Sequence, residues 1–307
     1  MLHLRLTVPS RDAPQILARV RTTAGVAHVA HLPGVSADPG GDLILCDVVR
    51  EAAGALVDWL QEQQVHHDGA ITINSVSTVI STRAEAAEAA APGYGSDAMV
   101  WEELEVRSRE NAVLTPSFVV LMAIAGMIAG VGILLDSPVL IIGAMVVGPD
   151  YAPVSALCVF TVRRRWAGAR RALSTLGIAL GAATLASFVQ ALLLDVASIG
   201  PQQPGFTEGQ LVSFISHPDA LSTYASLLAG IAGMLSMTEG RSGTLVGVLV
   251  SVTTIPAAAN IGLAAAHGAG EAMQGAAVQL LLNVVALVLA GVTTLVVQDR
   301  LTTRRAR

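Results

Sequence analysis

Lysine is missing from this chain: all 18 basic residues are arginines. With Ala, Gly and Val so abundant, that absence marks a GC-rich coding bias and not a functional signal. Charge is scarce altogether, at 13% of 307 residues, where a soluble globular chain carries about a quarter. Cysteine is nearly absent, and Cys46 and Cys158 fall in different regions, so there is no disulfide framework. No Walker loop, Gly-x-Ser-x-Gly, His-Glu-x-x-His or paired Cys-x-x-Cys occurs. That leaves no ATP-coupling or hydrolytic machinery to assign, and the expectation is that the protein is not an enzyme. No secretory leader is legible either, because Met1–Pro9 alternates in the manner of a strand.

What the chain does have is apolar residues, 53% of the total with a mean hydropathy of +0.62. They are unevenly placed. Met1 to Glu110 holds 8 Arg against 15 acids, whereas Asn111 to Arg307 holds 10 Arg against 8 acids. An acidic, polar front and an apolar back imply two domains in two solvents. The acidic front also lacks the basic face that nucleic acid would need, so no nucleic-acid partner is expected.

In the front, Leu2, Leu4, Leu6 and Val8 alternate with His3, Arg5 and Thr7, the period of a half-buried strand. Ser10 reads as the N-cap of a helix whose apolar face is Ile16, Leu17 and Val20. Val26–Leu32 reads as a second strand, with loop chemistry at Pro33-Gly34 and at Pro39-Gly40-Gly41. Leu43–Val49 is a central strand, Ala52, Leu56, Trp59 and Leu60 mark a second helix, and Ile71–Ile80 closes the domain. The order βαββαβ over 1–81 is the split-βαβ pattern of ferredoxin-like and small regulatory ligand-binding domains, an α+β fold. His28, His31, His66 and His67, with Asp68, are the metal-ligand candidates here. Strand spacing puts the first two on opposite faces, and the other pair sits in a turn, so no metal site is assigned and the cofactor is unknown. Residues 82–114 read as a linker rich in Ala, Gly and Glu, and Met99–Asn111 within it reads either as an amphipathic interfacial helix with Trp101 at the headgroups or as a solvated connecting helix.

The back, 115–298, holds six apolar runs at 117–135, 139–160, 172–194, 221–237, 244–265 and 276–297, each near the roughly 20 residues that span a bilayer. Arg163, Arg164, Arg165, Arg170 and Arg171 follow the second run, Arg241 the fourth, and the basic tail 299–307 the sixth. The connections at 136–138, 195–220 and 266–275 contain no Arg. Basic loops mark the cytoplasmic side, so both chain ends are expected inside the cell.

Shifted by 107 residues, the back matches itself. Ile124-Ala125-Gly126-Met127 falls on Ile231-Ala232-Gly233-Met234 and Pro149 on Pro256, and all three pairs of runs register on one offset. Three helices per half force the second half to enter from the opposite side, giving two inverted three-helix repeats, an arrangement common among secondary transporters. Both halves carry an interrupted run, Ile142–Pro153 and Val250–Asn260. Matched interruptions are the best sequence pointer to a midplane site. Asp150 is the one acid well inside a run, and an acid there costs at least about 2.5 kcal/mol on insertion scales. It heads the candidate site, with Pro149, Gly143, Pro153, Ser251, Thr253, Thr254, Pro256, Asn260 and Asn283. The glycines at 126, 130, 132, 143 and 148 are expected to permit close helix contact.

The run Asp136-Ser137-Pro138-Val139 followed by Ile142-Gly143-Ala144-Met145-Val146-Val147-Gly148-Pro149 resembles the signature of the prokaryotic "uncharacterised hydrophobic domain" family, domain of unknown function number 389. The resemblance covers roughly 95–297. In place of the Pro-Leu-Met-Gly-Pro common there, this chain has Pro149-Asp150-Tyr151-Ala152-Pro153. The resemblance implies a membrane fold in a bacterial plasma membrane and supplies no activity.

These readings lead to one functional expectation. The chain is a membrane transporter or channel for an ion or small solute, gated by a metabolite or nucleotide at the cytoplasmic domain. Its partners are the lipid bilayer and, because six short helices give little bulk for a pathway, further copies of itself in a homo-oligomer. The alternative is an oligomeric receptor or scaffold that binds a ligand without carrying flux.

Overall fold

The computed structural model describes residues 1–76, 78–91, 101–198, 220–239 and 254–305. It divides into two compact units, Met1–Leu104 with Gln298–Arg307, and Glu105–Val297.

In the first unit the alternating leucines of β1 (Leu2–Val8) form the middle of a four-stranded sheet with β2 (Val26–Ala37), β3 (Gly40–Val48) and β4 (Ala70–Ser75), in the order β2-β3-β1-β4. Every pairing is antiparallel, with Leu4 opposite both Cys46 and Ile73. Leu2, Leu4 and Leu6 are buried under α1 (Ala13–Thr22) and α2 (Arg50–Glu62), against Ile16, Val20, Leu56 and Leu60. A short α3 (Val65–Asp68) precedes β4. The unit is thus a small antiparallel sheet with helices.

Three local expectations change. Ser10 does not cap α1, which starts at Ala13; its hydroxyl donates to Asp42 instead, at 2.5 Å. Pro33-Gly34 does not end β2, because a register shift between Leu32 and Ser36 absorbs the proline and the strand resumes. Residues 82–90, linker-like in composition, form α4 (Thr82–Ala90), its first turn capped by Ser81 Oγ accepting from the Ala84 amide at 3.4 Å. Alanine is the best helix former, and Ala87 and Ala91 pack on Val49 and Ala27.

The second unit is helical: α5 (Trp101–Asn111, whose first residues group with the first unit), α6 (Pro116–Leu134), α7 (Pro138–Val147), α8 (Tyr151–Val162), α9 (Trp166–Val196), α10 (Ala220–Glu239), α11 (Thr254–Ala266) and α12 (Gly270–Arg305). Among the described residues, α6, α9, α10 and α12 are each long and apolar enough to cross a membrane, and α7 with α8 makes a fifth if the bent pair is one span. This is the composition of a multi-pass membrane protein. The run 139–160 is not one straight helix. It bends by 52° between Val147 and Tyr151, because Pro149 has no amide to donate and pushes Gly148 into an extended conformation, φ −82° and ψ 125°. The run 244–265 is described only from Thr254, as a 13-residue helix, and Ser251 and Thr253 lie outside the described residues.

Small residues hold this unit together. Met122, Ala125, Ala129, Ala144, Ala179, Ala183, Ala257, Ala258 and Leu263 form its largest core. A Cβ on Gly126 would lie 2.5 Å from the Ala183 carbonyl oxygen, so α6 and α9 touch backbone to backbone.

Candidate functional site: Asp150 where the start of α8 meets α11

The break in α7–α8 leaves Asp150 at the N-cap position of α8, 7% exposed, with no capping bond from its side chain to that helix. The carboxylate is engaged from the other half of the unit: the Thr254 hydroxyl of α11 donates to Asp150 Oδ2. Gly148 makes the approach possible, since a Cβ there would overlap Ile255 Cδ1. The start of α8 and a hydroxyl of α11 therefore meet at one buried acid. The α8 start presents amides without intrahelical partners and the positive end of a helix dipole, which compensates a carboxylate that lipid would reject.

α9 is the ruler along which both short helices lie. Its 31 residues span about 46 Å at 1.5 Å per residue. α8 runs towards the start of α9, where Phe160 packs with Ala169 and Ala172. α11 runs towards its end, where His267 Nε2 lies 3.7 Å from Asp195 Oδ1. Between them, Thr184 Oγ1 donates to the Ala258 carbonyl at 3.0 Å. The helices thus diverge from Asp150 and Thr254 towards opposite ends of α9. α11 is buried on all sides from Thr254 to Asn260, so it runs through protein and not through lipid.

The predicted site residues separate into groups. Pro149, Asp150 and Pro153 lie at the break and the first turn of α8, Thr254 and Pro256 lie on α11, and Asn260 is fully buried further along α11. Asn283 belongs to another cluster: it accepts from Gln279 at 3.1 Å, and Gln279 donates to Ser222 on α10 at 2.6 Å. Gly143 has open space where its Cβ would stand, so its expected role in close helix contact is corrected, while Gly126, Gly130, Gly132 and Gly148 each meet a neighbour.

Two features were not expected. The Tyr151 hydroxyl, next to Asp150, is buried against Gly233 with no partner among the described residues; a tyrosine beside the acid inside an apolar run was the available signal. Glu105 on α5, 6% exposed, receives Arg163 Nε at 2.8 Å and Arg165 Nη2 at 2.9 Å from the turn that ends α8. A run of arginines facing an acidic helix was the signal for that pair.

In the first unit, His28 and His31 lie on opposite faces, as strand spacing requires. His31 Nε2 is 2.7 Å from Asp42 Oδ2, and Asp47 takes His3 and His28 at 2.7 and 3.2 Å. The Ser10 hydroxyl, His31 and the Gly34 amide hold the Asp42 carboxyl down to about 2. Burial pushes the Cys46 thiol up to about 12, which makes it unreactive.

No solved structure matches the chain. A curated relative, "Uncharacterized protein MJ0678" of Methanocaldococcus jannaschii, is 26% identical over 194 residues, covering 63% of this chain. The match spans 58% of that relative's length. Residues 145–289, from Met145 through the break, Thr254 and Asn283, match the family described as "Domain of unknown function (DUF389)", a narrower stretch than the motif suggested but the same family.

Proposed function

We propose that the protein is a plasma-membrane transporter or channel for an ion or small solute, whose pathway passes the Asp150–Thr254 junction and which is gated by a small ligand at the N-terminal unit. The observation that carries this reading is the hydrogen bond from Thr254 of α11 to the buried Asp150 at the start of α8, each helix leaving towards an opposite end of α9. Backbone interrupted at membrane depth is tolerated where protein or cavity water satisfies it, and half-helix starts are a recurrent way to present binding groups at the midplane.

The inverted-repeat reading draws support from the 107-residue offset that sets Pro149 on Pro256, and from the starts of α9 and α12, Trp166 and Gly270, which are 104 residues apart. Six spans with both ends in the cytoplasm are part of the proposal, supported by the arginine-bearing connections. The strand order β2-β3-β1-β4 with all-antiparallel pairing supports a ferredoxin-like reading of the first unit. α5 is the proposed coupling element, because Glu105 grips the turn at the end of α8. Assembly into a homo-oligomer is part of the proposal.

The test is flux in proteoliposomes across common ions and metabolites, comparing the full chain with Asp150→Asn. Flux that Asp150→Asn lowers at least tenfold, or strips of its ion dependence, is the expected result. Unchanged flux and unchanged ion dependence would remove Asp150 from the pathway. Ligand binding without any flux would make the chain a receptor.

A further inference from the structure

We infer that the first unit binds a phosphorylated small molecule of mononucleotide size in the groove between the end of α1, the start of β2 and α4. The site deepens the ligand-gated reading and rests on it only for its consequence, since binding is measured without flux.

The groove encloses about 640 Å³, within the range of small-molecule sites, about 300–1,000 Å³. Arg21, on the last turn of α1, and Arg83, on the first turn of α4, both line it. In this unit Arg11 pairs with Asp68, Arg50 with Glu103, and Arg19 lies over the Trp59 ring. Arg21 and Arg83 have no acidic partner among the described residues. Two uncompensated guanidinium groups on one cavity, in a part of the chain where acids outnumber Arg 15 to 8, call for an anionic ligand. Guanidinium forks match phosphate oxygens in pairs.

The rest of the wall sets the size and nature of the remainder. Val26, Val29, Ala86 and Ala90 are short and apolar, leaving a flat surface against which a base would lie. The floor is the α1–β2 turn, where Gly25 is buried at φ +89° and a Cβ would stand 2.6 Å from Val49 Cγ2. Its carbonyl accepts from Val49 at 2.9 Å, which fixes the turn to the start of α2. The groove therefore has a charged rim, an apolar wall and a rigid base, and the helix that forms one wall is the segment whose composition resembles a linker. A ligand bridging Arg21 and Arg83 would clamp α4 to the sheet, and α4 leads along the chain to α5.

Calorimetry on the purified full chain in neutral detergent, with AMP, GMP, adenosine and inorganic phosphate as separate titrants, tests the inference. At least one nucleotide should bind ten times more tightly than adenosine and than inorganic phosphate. Arg21→Ala, Arg83→Ala and the groove-filling Ala86→Trp should each weaken it at least tenfold, while Arg5→Ala, on the far face of the sheet, leaves it unchanged. Thermal melting of each variant separates lost binding from lost folding. Absence of nucleotide binding, or binding that all three groove variants leave intact, would overturn the site. Phosphate binding as tightly as the nucleotides would reduce it to an anion site, and equal binding of adenosine would remove the role of the arginines; either result overturns the inference. Nucleotide binding that leaves flux unaltered would keep the site and overturn the gating.

Discussion

The two units put opposite residues on the inside. In the N-terminal sheet the largest aliphatic side chains, Leu2, Leu4, Leu6, Leu56 and Leu60, are fully buried. In the helical unit the interior is mostly alanine and glycine with Ser187, Asn260 and Asn283, while Val139 at 77% and Leu281 at 64% exposure face outwards. Water drives large apolar surface inwards. Lipid gives no such drive, so helices associate through close backbone approach and interior polar contacts. The comparison also explains where chemistry can sit. The sheet unit pairs its acids with histidines and a serine, even the buried Asp42, whereas Asp150 in the helical unit is met by a threonine hydroxyl.

The largest expected effect comes from cutting into the water-driven core. Leu4→Ala should cost the sheet unit about 2–5 kcal/mol, read as faster hydrogen exchange through β1, β3 and β4 with the helical unit unaffected. Next comes overfilling the lipid-side interior. Gly262 lies against the Thr184 carbonyl of α9, and Gly262→Leu should lower stability by about 1–3 kcal/mol in a detergent melt. Gly143→Leu, with open space around it, should change little. Glu105→Gln should cost about 1–2 kcal/mol, because Arg163 and Arg165 are partly exposed and solvent repays part of the lost pairing. Its readout is increased protease sensitivity at the α8–α9 turn.

A smaller effect appears only in acid. The Asp42 carboxyl is depressed to about 2, so its contribution is complete above its ordinary range near 4 and fades as pH falls from about 4 towards 2. Asp42→Asn should flatten the stability of the sheet unit across that window. The smallest effect should be Leu185→Ala, an outward residue of α9, at under about 0.5 kcal/mol in lipid. A loss as large as that of Leu4→Ala would break the comparison between the units.

How much of this was legible depended on the kind of signal. Strict alternation in Leu2 to Val8 and the nearly all-apolar run Leu43 to Val49 specified the sheet, the first as a half-buried strand and the second as a central one. Pro149 announced the break, because a missing amide is a property of the residue itself. α4 escaped because an Ala- and Glu-rich stretch serves equally as linker or helix until a neighbour is in place. The candidate site named both Asp150 and Thr254, yet not their contact, since residues 104 positions apart meet only through helix packing. Asn283 was grouped with them as a polar residue on a facing helix, and Gly143 as part of the interrupted run Ile142–Pro153. Which way a helix is rotated decides such cases, and a run apolar on every side carries no rotation signal.

The most direct test of a pathway at the junction needs no knowledge of the substrate. Thr254→Cys and Ala183→Cys, both buried in the helical unit, are compared for labelling by a small water-soluble thiol reagent in sealed membrane vesicles, with Cys158→Ser as the background. The account predicts that position 254 is labelled while position 183 stays inert, because water reaches the Asp150–Thr254 junction and not the α6–α9 contact. Position 254 as inert as position 183 from both sides of the membrane would contradict it and leave the paired break a packing device.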